Sequence, residues 1–246
     1  YQENIDKNRY TFFSRKKNLK NYIKYLSDKN LNILKDFDHI IHLAGPNKDK
    51  LDKSKSLIQK KKQLTSRICD LCLKYDIKLI YISSLQVYKN YGKNELSINS
   101  KINFKNLYSK SHYESEKIIL KKFSNHKKNF IILRMGNVFG FKKLINLKKI
   151  NNNLIHNLCI SAFKKKKFLI NNGSIQRTFI PSQIFIQIIN FIIRKDLFSN
   201  SIENIFYKNL SLKEIAEIIQ KRFKSLFNST IEVKINNFKN KKNFNI

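Results

Sequence analysis

Apolar residues along this chain follow two patterns, one typical of buried strands and one typical of amphipathic helices. Apolar residues spaced three or four positions apart predict helices at 50–75 and 107–123. Short apolar runs that end in polar or small residues predict buried strands at 10–14, 38–44, 77–83 and 129–135. Strands that alternate with helices in this way predict an α/β fold with a parallel sheet and right-handed crossovers.

The second half of the chain has shorter and less regular elements. Ser211 and Glu214 stand three residues apart at the start of an apolar stretch, which is the signature of a capping box. The predicted helices are 151–165, 182–194 and 212–224. The predicted strands lie within 167–180, on either side of Gly173, and at 204–207 and 230–235.

The 246 residues include 50 Lys and Arg against 17 Asp and Glu, a formal net charge of +33. One interpretation is a nucleic-acid or anionic-membrane partner. The other is biased composition, because Lys, Asn and Ile are abundant throughout while Gly, Pro, Ala and Trp are scarce. We favour the second, since the lysines are dispersed, with only short runs such as 164–167. Nucleic acid is therefore not expected as a partner, although the charge would attract nucleotides.

Apolar runs and cysteines bear on where the protein works. No apolar run approaches the roughly 18 residues that span a bilayer, so we expect no membrane partner. Three cysteines are an odd and low number for a disulfide scaffold and fit a reducing cytoplasm. Cys69 and Cys72 form a CxxC inside a predicted helix with no second ligand pair nearby, so a metal site is not expected.

Small and polar residues stand where the predicted strands end. Ala44 and Gly45 follow one strand, Ser83 and Ser84 follow the next, and the stretch 134–140 follows the third. Open parallel sheets bind ligands beyond the carboxyl ends of their strands. We therefore expect these residues to belong to a ligand site.

Residues 107–120, LYSKSHYESEKIIL, contain two tyrosines with a basic residue four positions later. Tyr113 precedes Lys117, which makes a Tyr-x-x-x-Lys, and Tyr108 precedes His112 on the same helical face. The spacing alone does not choose between the two pairs.

Five segments occur along the chain in a fixed order: HLAG at 42–45, YISSLQVY at 81–88, YSKSH at 108–112, LRMGNVFG at 133–140 and SIQRTFIP at 174–181. They resemble the HLAA, SSxxVYG, YxxSK, LRxxNVYG and QRDFIHV motifs of the extended short-chain dehydrogenases/reductases, the NAD-dependent epimerase/dehydratase group. The resemblance covers nearly the whole chain. It implies a Rossmann-type doubly wound parallel sheet in 1–145, which binds the dinucleotide. It also implies a small C-terminal α/β lobe in 146–246, which mainly binds substrate and has segments that return to the first domain.

The resemblance aligns Tyr108 with the family's catalytic tyrosine and Lys117 with a second lysine of the helix, so the Tyr113–Lys117 pair becomes a coincidence. In the family the tyrosine is the general acid/base, and a lysine at the position of His112 lowers its pKa and binds the nicotinamide ribose. His112 could bind the ribose hydroxyls, but a neutral imidazole supplies less positive charge, which makes Tyr108 a poorer base. The alternative is that His112 marks a lost or altered activity.

Other positions take their expected roles from the same resemblance. Ser84 matches the Ser/Thr that hydrogen-bonds the reacting oxygen, although a strand-end serine that caps a turn is the simpler alternative. Asn137 matches a position that contacts the nucleotide-sugar. Arg177 matches one that pairs with its diphosphate, which suits a forked guanidinium. The expected contacts of the cofactor are Arg15, Leu43, Ala44, Gly45, Ser83 and His112.

The front of the chain departs from the family pattern. It contains no GxxGxxG loop, whose backbone N–H groups would hold the pyrophosphate. We expect about twenty further residues, with the first strand and this loop, to precede Tyr1 on the family pattern. The stretch Ser14-Arg15-Lys16 has no acidic residue to bind the adenosine ribose, so it favours NADP, with NAD as the alternative.

The resemblance implies a cytoplasmic NAD(P)-dependent enzyme that acts on a nucleotide-activated sugar, a precursor of surface polysaccharide. Leu85 and Gln86 occupy the positions of the Asp-Glu pair of the dehydratase branch, so an epimerase or a ketoreductase is expected. A homodimer is considered as well. The alternatives are a non-catalytic family member that binds nucleotide or RNA, and a regulator that binds NADP without turnover.

Overall fold

The computed structural model describes residues 12–14, 23–25, 28–46, 51, 54, 56–89, 96–104, 106–126, 129–140 and 154–236. The chain splits into two compact units. The first comprises Tyr1–Val87, Phe104–Leu133 and Asp196–Glu203. The second comprises Tyr88–Asn103, Arg134–Lys195 and Asn204–Ile246.

Strands and helices alternate in the first unit. Strands β1 (Phe12–Ser14) and β2 (Ile23–Tyr25) pair in parallel, and a 3₁₀ helix follows at Asp28–Asp36. The main sheet has the order β3-β4-β5-β9, from strands β3 (His39–His42), β4 (Lys78–Ser84), β5 (Phe130–Met135) and β9 (Ser201–Ile205). Helix α1 (Ser56–Lys74) joins β3 to the parallel strand β4, and helix α2 (Leu107–Lys122) lies between β4 and β5 in the chain.

Burial explains why these strands read as continuous apolar runs. All six residues of β5 are buried, as expected for a strand covered on both faces of the sheet. The core of this unit combines side chains of α1, α2 and the strands, among them Ile68, Ile119, Leu79 and Ile132. The predicted α/β class with a Rossmann-type parallel sheet is therefore confirmed.

The second unit contains the smaller sheets. Strands β6 (Asn137–Phe139), β8 (Gln176–Pro181) and β10 (Lys208–Ser211) pair in the order β10-β8-β6, with β8 antiparallel to β10 and parallel to β6. Strands β7 (Lys167–Ile170) and β11 (Glu232–Ile235) form a parallel pair. The helices are α3 (Leu154–Lys165), α4 (Ser182–Arg194) and α5 (Leu212–Phe227).

Most predicted elements occur within a few residues of their expected bounds, and the helix predicted at 182–194 coincides with α4. The strand predicted at 204–207 is correct only for its first two residues, because β9 ends at Ile205 and β10 begins at Lys208. Phe206 and Tyr207 lie between the two strands and are 40% and 64% exposed. The prediction failed there because these two aromatic residues are apolar but lie in a surface turn.

The cysteines of the CxxC lie in the core. Cys69 and Cys72 are fully buried on the inner face of α1. Burial raises the pKa of the Cys69 thiol to about 12, so this thiol stays protonated at neutral pH. None of the helices in the described part of the chain is long and apolar enough to cross a membrane.

The predicted capping box is present at the start of α5. The Ser211 hydroxyl accepts a hydrogen bond from the Glu214 N–H at 3.1 Å, and the Glu214 carboxylate accepts one from the Ser211 N–H at 2.7 Å. These bonds satisfy two backbone donors that a helix otherwise leaves without partners.

We expect the Ser211→Ala variant to lose about 1 kcal/mol of unfolding free energy, because the first turn of α5 loses its cap. Urea denaturation followed by circular dichroism measures the loss. Ser225→Ala is the matched control, since Ser225 is exposed within the same helix. Equal stability of the two variants would show that the capping box contributes nothing.

Candidate functional site

Helix α2 presents Tyr108 and His112 one turn apart at its amino-terminal end. The helix begins after Asn106, whose side chain caps it by accepting a hydrogen bond from the Ser109 N–H at 2.9 Å. The rings of Tyr108 and His112 meet edge to face, with their centroids 4.6 Å apart. The cap therefore fixes the start of the helix, and the helix brings together the two residues that the sequence predicts as catalytic.

His112 is held by a tyrosine of the neighbouring strand. Its Nδ1 lies 3.2 Å from the Tyr81 hydroxyl, at hydrogen-bond distance. Burial lowers the pKa of His112 well below its ordinary value, and electrostatic interactions with Lys61 and His42 lower it further. The imidazole is therefore neutral at physiological pH and does not replace the charge of a lysine.

A lysine that sequence reasoning did not select lies beside this pair. Lys61, on the inner face of α1, is only 4% exposed, and its ammonium nitrogen lies 3.4 Å from the Ser111 hydroxyl. The same nitrogen lies 5.9 Å from the centre of the Tyr81 ring. Burial lowers the pKa of Lys61 to about 7, although the charge of Glu116 opposes the shift.

Small hydroxyl side chains join α1 to α2 around Lys61. The Thr65 hydroxyl lies 3.1 Å from His42 Nε2 and donates to the Ser115 hydroxyl at 3.4 Å. Ser111 and Ser115 are fully buried and bond back to their own helix, to the carbonyls of Tyr108 and Ser111 at 2.7 and 3.0 Å. Small residues at this interface let the two helices approach closely enough to enclose a polar layer.

His42 ends strand β3 within the same layer. It is 2% exposed, and burial lowers its pKa to about 3, with a further contribution from the charge of Lys61. The imidazole is therefore neutral, and Lys61 is the cationic side chain in this part of the layer.

The segment after His42 opens to the surface. Leu43 is 62% exposed, Ala44 is half-buried, and Gly45 is exposed. A Cβ at Gly45 would lie 3.2 Å from the Lys61 Cε and 3.5 Å from its ammonium nitrogen. The absence of a side chain at Gly45 thus leaves room for Lys61 to extend beneath the end of β3.

The two serines at the end of β4 have different partners. The buried Ser83 hydroxyl donates to the Glu116 carboxylate at 2.5 Å, so it ties the strand to α2. Ser84 accepts a hydrogen bond from the Gln86 N–H at 3.2 Å. That bond is the turn-capping contact of the simpler alternative, and it leaves the hydrogen of the Ser84 hydroxyl for a second acceptor.

Tyr113 and Lys117 lie on another part of α2. Lys117 is exposed and pairs with Glu114 at 2.9 Å. Its ammonium lies 5.5 Å above the Tyr113 ring, which packs against Phe104 with the ring centroids 5.2 Å apart. These surface contacts account for the pair without any catalytic role.

The predicted substrate residues belong to the second unit. Asn137 begins β6, and its side-chain amide donates to the Thr178 carbonyl at 3.0 Å. The Arg177 guanidinium donates to the Gln176 carbonyl at 3.1 Å and is half-buried. Both residues lie on paired strands of one sheet. Arg15, the predicted NADP contact, lies outside the described residues.

Arg134 plays a structural part in this unit. It is 3% exposed and donates to the Tyr88 hydroxyl at 2.7 Å, while its guanidinium lies 4.8 Å from the centre of the Tyr88 ring. The Tyr88 hydroxyl in turn donates to the Asn204 side chain at 2.8 Å. Arg134 and Asn204 are thus connected through Tyr88 within this unit.

Comparison with known proteins identifies the family. The chain matches the NAD dependent epimerase/dehydratase family over residues 8–204, about four fifths of its length. The chain belongs to this family. Its members are named for their dependence on NAD. The predicted nicotinamide dinucleotide cofactor is therefore confirmed. No functionally curated protein sequence matches the chain significantly.

Solved structures with the epimerase/dehydratase fold resemble this chain at low sequence identity. A UDP-N-acetylglucosamine 4-epimerase from Bacillus cereus shares 20% identity and a TM-score of 0.72, covering 92% of this chain and 75% of its own. An L-threonine dehydrogenase from Phytophthora infestans shares 14% identity and a TM-score of 0.74, covering 89% and 72%. The dTDP-glucose 4,6-dehydratase DesIV from Streptomyces venezuelae, solved with NAD and TYD bound, shares 14% identity and a TM-score of 0.69, covering 88% and 68%. These likenesses show a common fold.

The sequence of this epimerase/dehydratase family member contains a pattern that places Lys61 on a buried helix face. Lys61 stands four residues after Leu57 and four before Thr65, so the helical spacing places it on the buried face of α1. Three consecutive lysines, Lys60 to Lys62, conceal that position in a chain with 50 basic residues. A lysine on the apolar face of a helix is the signal that points to a buried charge.

The lowered pKa of Lys61 predicts how the stability of this protein depends on pH. The folded state releases the Lys61 proton near pH 7, while the unfolded chain keeps it to about pH 10. The unfolded state therefore binds more protons in this window, and the free energy of unfolding rises with pH. The titratable groups near Lys61 are His112 and Glu116 on α2, Tyr81 on β4 and His42 on β3. Tyr108 lies one turn before Ser111, which the ammonium contacts.

We expect the wild type to gain roughly 1 kcal/mol more unfolding free energy than Lys61→Met between about pH 6 and pH 8. Denaturant titrations at both pH values measure this difference. Lys62→Met is the control, because Lys62 sits next in the helix but is part of a surface pair with Glu114 at 3.7 Å. An equal pH dependence in the wild type and both variants would contradict a near-neutral pKa of Lys61.

Proposed function

We propose that this protein is an NAD(P)-dependent epimerase or ketoreductase that acts on a nucleotide-activated sugar. The observation that carries the proposal is the layer at the start of α2. There the Tyr108 ring meets a neutral His112, and a buried Lys61 ammonium lies against the adjoining Ser111. A phenol beside a histidine and a cation is an arrangement suited to proton transfer at a hydroxyl or carbonyl.

The residues that follow β3 fit a dinucleotide. Leu43 offers an exposed apolar side chain, and Gly45 offers backbone without a side chain, as close approach of a cofactor requires. His112 has a ring nitrogen besides the one that faces Tyr81, and that nitrogen suits a ribose hydroxyl. When bound, NAD(P) supplies hydride transfer to and from the carbon that bears the reacting oxygen.

In the proposed reaction Tyr108 holds and moves the proton. Its phenolate accepts the proton of a sugar hydroxyl as the alcohol becomes a ketone, and its phenol returns a proton when the ketone is reduced. Ser84 donates its hydroxyl hydrogen to the same sugar oxygen and so orients it. The hydrogen bond that the Gln86 N–H donates to Ser84 holds the serine in place for that task.

The substrate class is inferred from two sources. Asn137 and Arg177 are proposed to contact the nucleotide-sugar and its diphosphate, because a guanidinium pairs with phosphate oxygens through two parallel bonds. Several structures with the same fold are enzymes of nucleotide-sugars, among them a UDP-N-acetylglucosamine 4-epimerase and MoeE5 with UDP-glucuronic acid and NAD. The product is proposed to serve as a precursor of surface polysaccharide in the cytoplasm.

The residues after β4 favour epimerisation or ketone reduction over dehydration. Leu85 is fully buried and carries no titratable group, and Gln86 carries an amide. Neither side chain can exchange a proton in the way that a carboxylate pair does. Arg15 is proposed to favour NADP over NAD through the 2′-phosphate.

A non-catalytic role is the alternative, and His112 is the residue that favours it. The neutral imidazole of His112 does not supply the positive charge that the lysine of the family motif provides next to the tyrosine. Such a protein would bind a nucleotide or RNA and leave nucleotide-sugars unchanged.

Tyr108→Phe tests the proposed function. The full-length protein is incubated with NAD⁺ or NADP⁺ and a panel of UDP- and dTDP-hexoses, and products are separated by anion-exchange chromatography. We expect the wild type to convert at least one sugar and Tyr108→Phe to lower kcat by about a hundredfold or more, because the phenolic hydroxyl is the acid/base. Binding of the dinucleotide should persist in the variant.

Tyr113→Phe is the matched control for this experiment. It removes the same hydroxyl from a tyrosine five residues away on α2, whose ring packs against Phe104 at the surface. The control should retain wild-type turnover. A wild type that binds neither dinucleotide and converts no sugar would reject the enzyme and favour the binding protein.

A further inference from the structure

The Lys61 ammonium is a buried charge next to the first turns of α2. Lys61 is 4% exposed, and a charged group loses its hydration when it is buried. The ammonium contacts a serine hydroxyl at 3.4 Å and an aromatic ring centred 5.9 Å away. Buried charges at such a position, where the cost of burial is only partly offset, are concentrated at functional sites.

The contacts of Lys61 place its charge against two residues that bond the Tyr108–His112 pair. Ser111, which faces the ammonium, is the residue directly before His112, and its hydroxyl donates to the Tyr108 carbonyl at 2.7 Å. Tyr81, whose ring also faces the ammonium, has its hydroxyl 3.2 Å from His112 Nδ1. The same proximity is reflected in the lowered pKa of His112, to which the charge of Lys61 contributes after burial.

His112 cannot itself act as the cation of this pair. Burial lowers its pKa well below the ordinary value, so the ring is neutral wherever a tyrosine could act as a base. His42 is neutral for the same reason. Among the described residues that face this layer, the ammonium of Lys61 is the group able to stabilise a phenolate.

We propose that Lys61, from helix α1, supplies the positive charge that favours deprotonation of Tyr108, while the neutral His112 keeps a hydrogen-bonding role on α2. This inference rests on the proposed function, in which Tyr108 is the acid/base. Two tasks that one lysine performs in the family motif are thereby divided between two helices. Lys61 is a positioning residue in this account, because it acts through Tyr108.

The division predicts an unusual pH profile. Above about pH 7, where Lys61 titrates, the Tyr108–Lys61 pair has lost one proton. That proton has left either Tyr108 or Lys61. The fraction of molecules with a Tyr108 phenolate and a Lys61 ammonium then no longer depends on pH. Turnover of the wild type should therefore level off above about pH 7, while turnover of Lys61→Met should keep rising about tenfold per pH unit.

The first experiment needs neither cofactor nor turnover. Tyrosine labelled with ¹³C at Cζ is incorporated into the full-length protein, and the Tyr108 signal is assigned by its loss in Tyr108→Phe. In the wild type this signal should shift with a midpoint near pH 7, as Lys61 titrates. His42 and His112 cannot produce that step, since their pKa values lie far below it. Glu116 and Tyr81, which also face Lys61, remain in every variant.

Two variants test whether Lys61 causes the step. Lys61→Met should abolish it, and Lys62→Met, which removes a surface charge from the same helix, should retain it. If Lys61→Met fails to fold, the wild-type curve still decides, because a Tyr108 signal with no step near pH 7 overturns the proposal. An identical step in the wild type and Lys61→Met would overturn it as well.

The second experiment restores the charge from the other helix. Lys61→Met should lower turnover at pH 7 by about tenfold or more, and Lys61→Met/His112→Lys should recover most of the loss. A purely structural Lys61 would give no recovery and an unchanged pH profile. Normal turnover without a step in the Tyr108 signal would reject the role of Lys61 but not the proposed enzyme function. A step in the Tyr108 signal without any turnover would reject the enzyme function but would establish the electrostatic coupling between Lys61 and Tyr108.

Discussion

The enclosure of one lysine ammonium between α1, α2 and the ends of two strands is the constraint on which the candidate site depends. The ammonium fits because the two helices meet through small residues, Thr65, Ser111 and Ser115, whose hydroxyls are all buried. The same layer keeps His42 neutral and holds His112 against Tyr81. A larger side chain at any of the three hydroxyl positions would separate the helices and admit water to the charge. The packing of the two helices therefore determines both the protonation of the buried groups and the position of Tyr108.

The family assignment and the chemistry of the site are separate conclusions. Enzymes with this fold include a UDP-N-acetylglucosamine 4-epimerase and an L-threonine dehydrogenase, which act on very different molecules. The fold brings a tyrosine to the start of a helix near the carboxyl edge of a parallel sheet, where ligands bind. The electrostatic surroundings of that tyrosine belong to the individual chain. In this chain a neutral histidine lies one turn after Tyr108 and a buried lysine lies on the neighbouring helix, so the reaction must be argued from these residues.

Much of the fold follows from the sequence because burial on both faces leaves a plain apolar signature. Strand β5 was predictable for that reason. Helix α4 was predictable because most of its residues are apolar, and the capping box at Ser211 has its own local signature. The short strands β2 and β6 were not, since three residues carry too little periodicity. Phe206 and Tyr207 misled the prediction because exposed aromatic residues resemble buried ones in a sequence. In the site, motif spacing selected Tyr108, His112 and Ser84, but one buried lysine among 50 basic residues is revealed only by its helical register.

We propose that the layer around Tyr108 binds the nicotinamide end of a dinucleotide. The decisive measurement is a crystal structure of the full-length protein with NAD⁺ or NADP⁺ bound. We expect the nicotinamide ribose to lie within hydrogen-bond distance of Tyr108 and His112, with the Lys61 ammonium still buried beside Ser111. A dinucleotide bound elsewhere, or a Lys61 side chain turned out to solvent in that complex, would rule out this binding mode.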